Sequence, residues 1–102
     1  MAIKKKFLKS KPVCKCTFSL PKDAAPDAEK VTIVGDFNDW EPETHVLKKL
    51  KSGEFKIDVD LEVGKAYQYR YLIDDKKWEN DWQADDYVRV PEFATENSVI
   101  SL

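Results

Sequence analysis

The chain has 102 residues, of which 42% are hydrophobic and 35% are charged, and this composition predicts a single globular domain. Its 17 basic and 19 acidic side chains leave a net charge of −2, too little to attract nucleic acid or an anionic membrane. No stretch has the apolar length of a membrane span, and the start lacks the apolar run of a signal peptide. We therefore expect a soluble, cytoplasmic protein.

The first dozen residues are basic, with lysines at positions 4, 5, 6, 9 and 11. This cluster is typical of a solvated tail or a strand edge, and a polyanion contact is the weaker interpretation. The sequence predicts a basic N-terminal extension over residues 1–12 and one β-sandwich domain over residues 13–102.

Two cysteines follow in a C-x-C spacing, which places Cys14 and Cys16 on one face of a strand. Neighbours of this kind rarely bridge each other, and the single histidine, His45, lies in a distant turn-like segment. We expect buried free thiols, a reducing compartment, and neither a metal nor a cofactor.

Short alternating segments predict the strands. Polar and apolar side chains alternate at 12–20, 54–61 and 66–73, and shorter strands are predicted at 31–34, 46–50, 87–90 and 97–102. In 66–73 the three tyrosines share one face, so Arg70 points outward if they pack inward. No window has the helical period. The predicted fold is an all-β, immunoglobulin-like antiparallel β-sandwich.

The stretch VTIVGDFNDW, residues 31–40, ends a strand at Gly35 and delivers Trp40 to a turn rich in Asp and Asn. Trp78 and Trp82 also lie in a polar, turn-rich segment, the predicted connection 74–86. A flat indole beside hydrogen-bonding neighbours suits the C–H face of a sugar ring. Alternatively, each indole caps an end of the sandwich. Both interpretations stay open for Trp40 and Trp78, and the cap is favoured for Trp82.

Nothing in the sequence predicts catalysis. The acidic side chains of 74–86 crowd one segment with lysines between them, which is typical of a solvated loop and not of a glycosidase pair. Their spacing does not repeat a calcium loop, and no triad or phosphate loop is present. We predict no catalytic residues.

Four motifs, VGDFNDW at 34–40, YRYLID at 69–74, Trp78, and FATENSVI at 93–100, occur in order. Together they resemble the signatures of the glycogen-binding domain of AMP-activated kinase beta subunits. That domain belongs to carbohydrate-binding module family 48, which is related to the isoamylase N-terminal, or early set, domain. The resemblance implies a β-sandwich that binds α-1,4-linked glucans such as glycogen or starch without catalysis. Trp40 and Trp78 match the two tryptophans that stack on the glucan.

The same resemblance assigns four further contacts. Arg70 stands where the family has a lysine that bonds sugar hydroxyls, and this change alters the donor geometry to a planar fork. Phe93 stands where the family has a leucine beside the glucan. Thr95 and Asn97 match its hydroxyl and amide contacts, and in an extended segment they share one side with Phe93.

Two functional hypotheses follow. The first is a stand-alone, non-catalytic module that binds an α-glucan oligosaccharide or polysaccharide. The alternative is a protein-interaction module that docks onto a glucan-metabolising enzyme or a kinase-like partner through exposed aromatic side chains or an edge strand.

Overall fold

The computed structural model describes residues 3–91 and 95–102, and these residues form two antiparallel β-sheets packed as a sandwich. The predicted all-β, immunoglobulin-like sandwich is confirmed. The described residues contain nine strands: β1 (Lys4–Phe7), β2 (Val13–Leu20), β3 (Val31–Gly35), β4 (Lys48–Lys49), β5 (Phe55–Glu62), β6 (Ala66–Ile73), β7 (Lys77–Glu79), β8 (Asp86–Val90) and β9 (Thr95–Ser101). Two 3-10 turns, Lys22–Ala24 and Asp36–Asn38, are neither long nor apolar enough to cross a membrane.

The first sheet has the order β1-β2-β5-β4, and the second has the order β3-β6-β9-β8, with β7 paired to β6. The strand predicted at 46–50 is reduced to the two residues of β4. The segment 74–86 was predicted as a connection without regular structure, and this was wrong because β7 lies within it. A strand of three residues is too short to show a period of two.

The apolar face of each alternating segment builds the core between the sheets. Tyr69 and Tyr71 of β6 are fully buried, and the Tyr69 ring meets Phe18 of β2 edge to face, with 5.1 Å between the ring centroids. Arg70 lies between the two tyrosines and is only half-buried on the opposite face of the sheet. The parity prediction for Arg70 is confirmed, and it places this side chain on the outward face of the second sheet.

The basic N-terminal residues form an edge strand. β1 pairs along its whole length with β2, from Lys4 opposite Thr17 to Phe7 opposite Cys14. The Lys5 ammonium reaches the other sheet, where it donates to Asp85 Oδ2 at 2.6 Å. The structure therefore shows the lysines at positions 4, 5 and 6 in an edge strand and not in a solvated tail.

Gly35 allows β3 and β6 to approach closely at the point where the chain leaves the core. A Cβ atom at this position would lie 2.6 Å from Cβ of Tyr69 and closer still to the carbonyl oxygen of Gln68. Any side chain here would push the two strands apart. The end of β3, and with it the following turn, is fixed against β6.

The two cysteines are free and fully buried on β2, as predicted. Burial, together with the neighbouring Cys14, raises the pKa of Cys16 to about 12. Because the thiolate is the nucleophile, we expect the folded protein to react very slowly with a disulfide reagent such as DTNB at pH 8. In guanidinium chloride both thiols should react within seconds. Rapid labelling of the folded chain would contradict this arrangement.

Candidate functional site

A cavity of about 630 Å³ opens on the outward face of the second sheet, within the usual size range for ligand sites. It is lined by residues from the turn after β3 and from β6, β7, β8 and β9. The lining residues are Trp40, Arg70, Trp78, Val90, Thr95 and Asn97. Five of the six residues predicted from the motifs therefore surround one cavity. The sixth, Phe93, lies outside the described residues.

The turn that carries Trp40 is built by its own side chains. Asn38 closes it, because Oδ1 accepts from the backbone N–H of Gly35 at 3.0 Å and Nδ2 donates to the carbonyl of Ile33 at 3.0 Å. Phe37 packs against the core, 5.9 Å from the ring of Phe18. The residues around Trp40 in the motif thus fold the turn and anchor it to the sandwich.

Trp40 occupies a restricted conformation. Both Asp39 and Trp40 have left-handed backbone angles, with φ of 54° and 57°. The Trp40 indole N–H donates to Asp36 Oδ1 at 2.9 Å, and the other oxygen of Asp36 accepts from the backbone N–H of Gln68 at 2.8 Å. One carboxylate therefore ties the ring to β6, and the ring stays half-buried at the cavity wall.

Removing this carboxylate is expected to release the ring. In Asp36→Ala both acceptors are lost, so we expect the Trp40 indole N–H signal in a proton–nitrogen NMR spectrum to move towards the position of a solvent-exposed indole. A loss of about 1.5–3 kcal/mol in the free energy of unfolding should accompany it, since a hydrogen bond to a charged group is worth about this much. The indole signals of Trp78 and Trp82 serve as internal controls. An unmoved Trp40 signal would show that Asp36 does not hold the ring.

Trp78 also lines the cavity and is the central residue of β7. Its backbone pairs with Leu72 of β6, and its side chain is 45% exposed. The guanidinium of Arg70 lies over the ring, with 5.9 Å between Cζ and the ring centroid. The cap interpretation is therefore wrong for Trp78, and neither Trp40 nor Trp78 is part of the buried core.

Arg70 and Asn97, two of the polar residues that line the cavity, are hydrogen-bonded to each other. Arg70 Nε donates to Asn97 Oδ1 at 2.6 Å, and Asn97 Nδ2 donates to Gln68 Oε1 at 2.9 Å. Partial burial lowers the pKa of Arg70, but a guanidinium stays protonated at any ordinary pH. The cavity thus combines two indole rings with a fixed cation and amide groups.

The segment after Trp78 is pinned to the interior, contrary to the prediction of a solvated loop. Asp81 is only 4% exposed, and its Oδ2 accepts from the hydroxyl of Tyr69 at 2.8 Å and from that of Tyr71 at 3.3 Å. Asn80 accepts from the hydroxyl of Ser98 on β9 at 2.8 Å. The burial of Asp81 cannot be predicted from the sequence, because nothing in the spacing distinguishes this residue from the other acidic residues of the segment.

Trp82 does not cap the sandwich, and this prediction was also wrong. Its side chain is 53% exposed and does not line the cavity. Sequence reasoning also missed Val90 and Gln68 as parts of the site. Val90 has no motif signal, whereas Gln68 could have been found, since the parity of the strand places it on the same face as Arg70.

The arrangement suits binding by contact and hydrogen bonding. Indole faces present apolar surface, and Arg70 and Thr95 supply donors and an acceptor around it. Within residues 3–91 and 95–102, no group of three histidine, cysteine, aspartate or glutamate side chains is placed to hold a metal ion.

Comparison with known proteins identifies the family. The model of carbohydrate-binding module 48 (isoamylase N-terminal domain) matches residues 24–88. Similar relatives are 1,4-alpha-glucan branching enzymes. The one from Xanthomonas campestris pv. campestris is 36% identical over 52 residues, which is 50% of this chain and 7% of the enzyme. Those from Rhizobium johnstonii and Butyrivibrio fibrisolvens are 40% identical over 44% of the chain and 31% identical over 72% of it.

The aligned segments cover 6% of the Rhizobium johnstonii enzyme and 12% of the Butyrivibrio fibrisolvens enzyme, so the chain spans only a small part of the length of these relatives. The family model, in contrast, covers more than half of the chain, from the loop before β3 to β8. The family that the four motifs indicated is thereby confirmed: this chain belongs to carbohydrate-binding module family 48.

Proposed function

We propose that this chain is a non-catalytic module that binds α-1,4-linked glucan, such as glycogen or a starch-like oligosaccharide, in the cavity between Trp40 and Trp78. The observation that supports the proposal most is that both rings line the same cavity. They come from separate segments of the chain, and they line one open cavity together with Arg70, Thr95 and Asn97. Membership of a carbohydrate-binding family supports the same ligand class, and the relatives are 1,4-alpha-glucan branching enzymes.

The chemistry of a glucan fits the two kinds of surface. A glucose ring has a C–H face that packs on an indole, and its hydroxyls lie at the rim, where Arg70 and Thr95 can bond them. A curved α-1,4 chain can present successive rings to Trp40 and Trp78. Because the site is open, we expect weak binding, with Kd between about 1 μM and 1 mM.

Calorimetric titration of the 102-residue chain with maltotriose, maltopentaose, maltoheptaose and β-cyclodextrin tests the proposal. Cellohexaose, whose β-1,4 linkage gives a flat chain, is the matched control sugar. We expect binding of the longer α-glucans, increasing with length, and none of cellohexaose. If no heat of binding is detected with any of the α-glucans at millimolar concentration, the proposal is wrong. We also propose that the purified chain releases no reducing ends from maltodextrin, as expected for a module without catalytic residues.

A second function, docking onto a glucan-metabolising enzyme or a kinase-like protein, is favoured by one observation. Trp82 and Tyr87 are exposed and lie outside the cavity, and Tyr87 belongs to β8, which is the last strand of the second sheet among the described residues. Size-exclusion chromatography with a purified branching enzyme tests this function. Co-elution that Trp82→Ala abolishes would support it, and separate elution would count against that class of partner.

A further inference from the structure

Most of the strands at the borders of the two sheets are protected against pairing with another chain. β4 and β7 have only two and three residues, and three of the four residues of β1 are lysines. The outer side of β3 is covered, because the N–H of Ile33 donates to the carbonyl of His45 at 3.0 Å and the N–H of Leu47 donates to the carbonyl of Val31 at 2.8 Å. Short length, lysines and a covering segment are the usual protections of an edge strand.

β8 has none of these three protections within residues 3–91 and 95–102. It has five residues and no lysine, it pairs with β9 on one side, and no other described strand pairs with it. Tyr87 and Val88 are both 39% exposed. The N–H of Tyr87 donates to Oδ1 of the preceding residue, Asp86, at 2.8 Å, so a side chain accepts a bond that the carbonyl of another strand could accept. An edge of this kind favours the addition of a further strand.

The sequence of β8 is complementary to itself. When two identical strands pair in antiparallel direction, a two-fold axis passes through one residue, which then faces its own copy. With the axis at Val88, the two valines pack against each other, and Tyr87 of each chain lies opposite Arg89 of the other. A guanidinium beside a tyrosine ring is an attractive pair. Each β8 also carries one acidic and one basic side chain, Asp86 and Arg89, so two copies bring no net repulsion.

The other lysine-bearing border strand shows the contrast. A two-fold axis through Lys5 of β1 would place Lys4 opposite Lys6 and Lys5 opposite its own copy. Like charges that lie directly opposite each other destabilise a pair of strands. The charge pattern therefore permits self-pairing at β8 and opposes it at β1.

We propose that β8 binds β8 of a second copy of this chain, in antiparallel direction, with the two-fold axis at Val88. The second sheets of the two copies then form one continuous sheet. Directly opposed residues of an antiparallel pair point to the same face, so the cavities of both copies lie on the same side of this sheet. One glucan polymer can then occupy two cavities and gain avidity. This last consequence rests on the proposed function, whereas the dimer itself does not.

Sedimentation equilibrium of the 102-residue chain without glucan tests the proposal. One pair of strands makes a small interface, so we expect a reversible monomer–dimer equilibrium with Kd between about 10 μM and 1 mM. A mass equal to that of one chain at every concentration up to about 1 mM would overturn the proposal.

A charged substitution at the axis tests the interface. Val88→Lys places two lysines directly opposite each other, and we expect Kd of the dimer to rise at least tenfold. Val46→Lys is the matched control, because Val46 is an exposed valine outside β8, and it should dimerise as the wild type does. Circular dichroism establishes that both variants fold. Unchanged dimerisation of folded Val88→Lys would overturn the proposal, because the contact would then lie elsewhere.

Mixing two variants tests the position of the axis. Val88→Asp, like Val88→Lys, should be monomeric by itself, because two carboxylates would face each other. In an equimolar mixture a lysine faces an aspartate, so we expect the dimer to form again. If the mixture stays monomeric, the axis is not at Val88 and the proposal is wrong. If the dimer forms as expected and no α-glucan binds, the proposed function fails and the dimer stands.

Discussion

Replacing either Trp40 or Trp78 with alanine is expected to weaken the binding of maltoheptaose at least tenfold. Each ring lines the cavity without being part of the core, so its loss removes contact surface from the ligand and leaves the fold intact. A stacked pair contributes about 1 kcal/mol beyond the area that it buries, and about 1.4 kcal/mol corresponds to tenfold. Calorimetric titration of the two variants measures the effect.

The chain contains its own matched control. Trp82 is an exposed tryptophan like Trp78, and it lies outside the cavity, so Trp82→Ala should bind maltoheptaose with the affinity of the wild type. Thermal unfolding and the amide NMR spectrum establish that all three variants fold. A loss of binding in Trp82→Ala equal to that in Trp40→Ala would place the ligand elsewhere on the surface.

Replacing Asp81 with alanine is expected to lower the free energy of unfolding by about 3 kcal/mol. The hydroxyls of Tyr69 and Tyr71 are buried, and the substitution removes the carboxylate that accepts from both. A buried polar group without a partner costs about 1–3 kcal/mol. Asp81 also accepts from the backbone N–H of Gln83 at 3.0 Å, and this bond is lost as well. Urea unfolding followed by circular dichroism measures the change.

Asp86→Ala is the matched control, because Asp86 is an exposed acidic residue of the same segment. Its substitution should change the free energy of unfolding by less than about 0.5 kcal/mol. Asp81→Asn keeps one oxygen as an acceptor, and we expect an intermediate loss. Equal stability of Asp81→Ala and Asp86→Ala would mean that the Asp81 carboxylate does not stabilise the fold by accepting hydrogen bonds from the two tyrosine hydroxyls.

The strands that alternate most clearly could be predicted from the sequence, and the short or irregular ones could not. The tyrosines of β6 define its inward face, and this parity was enough to place Arg70 outward. β7 has only three residues, and its pairing depends on a neighbour, Leu72, rather than on its own pattern. The burial of Asp81 depends on two hydroxyls that lie ten and twelve residues earlier, which no local window contains.

The candidate site, too, has residues that could be predicted from the sequence and contacts that could not. The tryptophans could be identified because an indole in a polar, turn-rich segment is unusual, and the motifs then indicated their partners. The contacts that hold the site could not be predicted, since they connect distant segments. Asp36 and Gln68 are 32 residues apart in the sequence, and Gln68 and Asn97 are 29 apart. Only the register of β3, β6 and β9 brings these side chains together.

The most direct test follows the three indole N–H signals of the wild-type protein during an NMR titration with maltoheptaose. If glucan binds between Trp40 and Trp78, these two signals shift together with a single Kd, and the signal of Trp82 stays in place. Two unmoved cavity signals at millimolar maltoheptaose, or a shift confined to Trp82, would contradict a glucan site in this cavity.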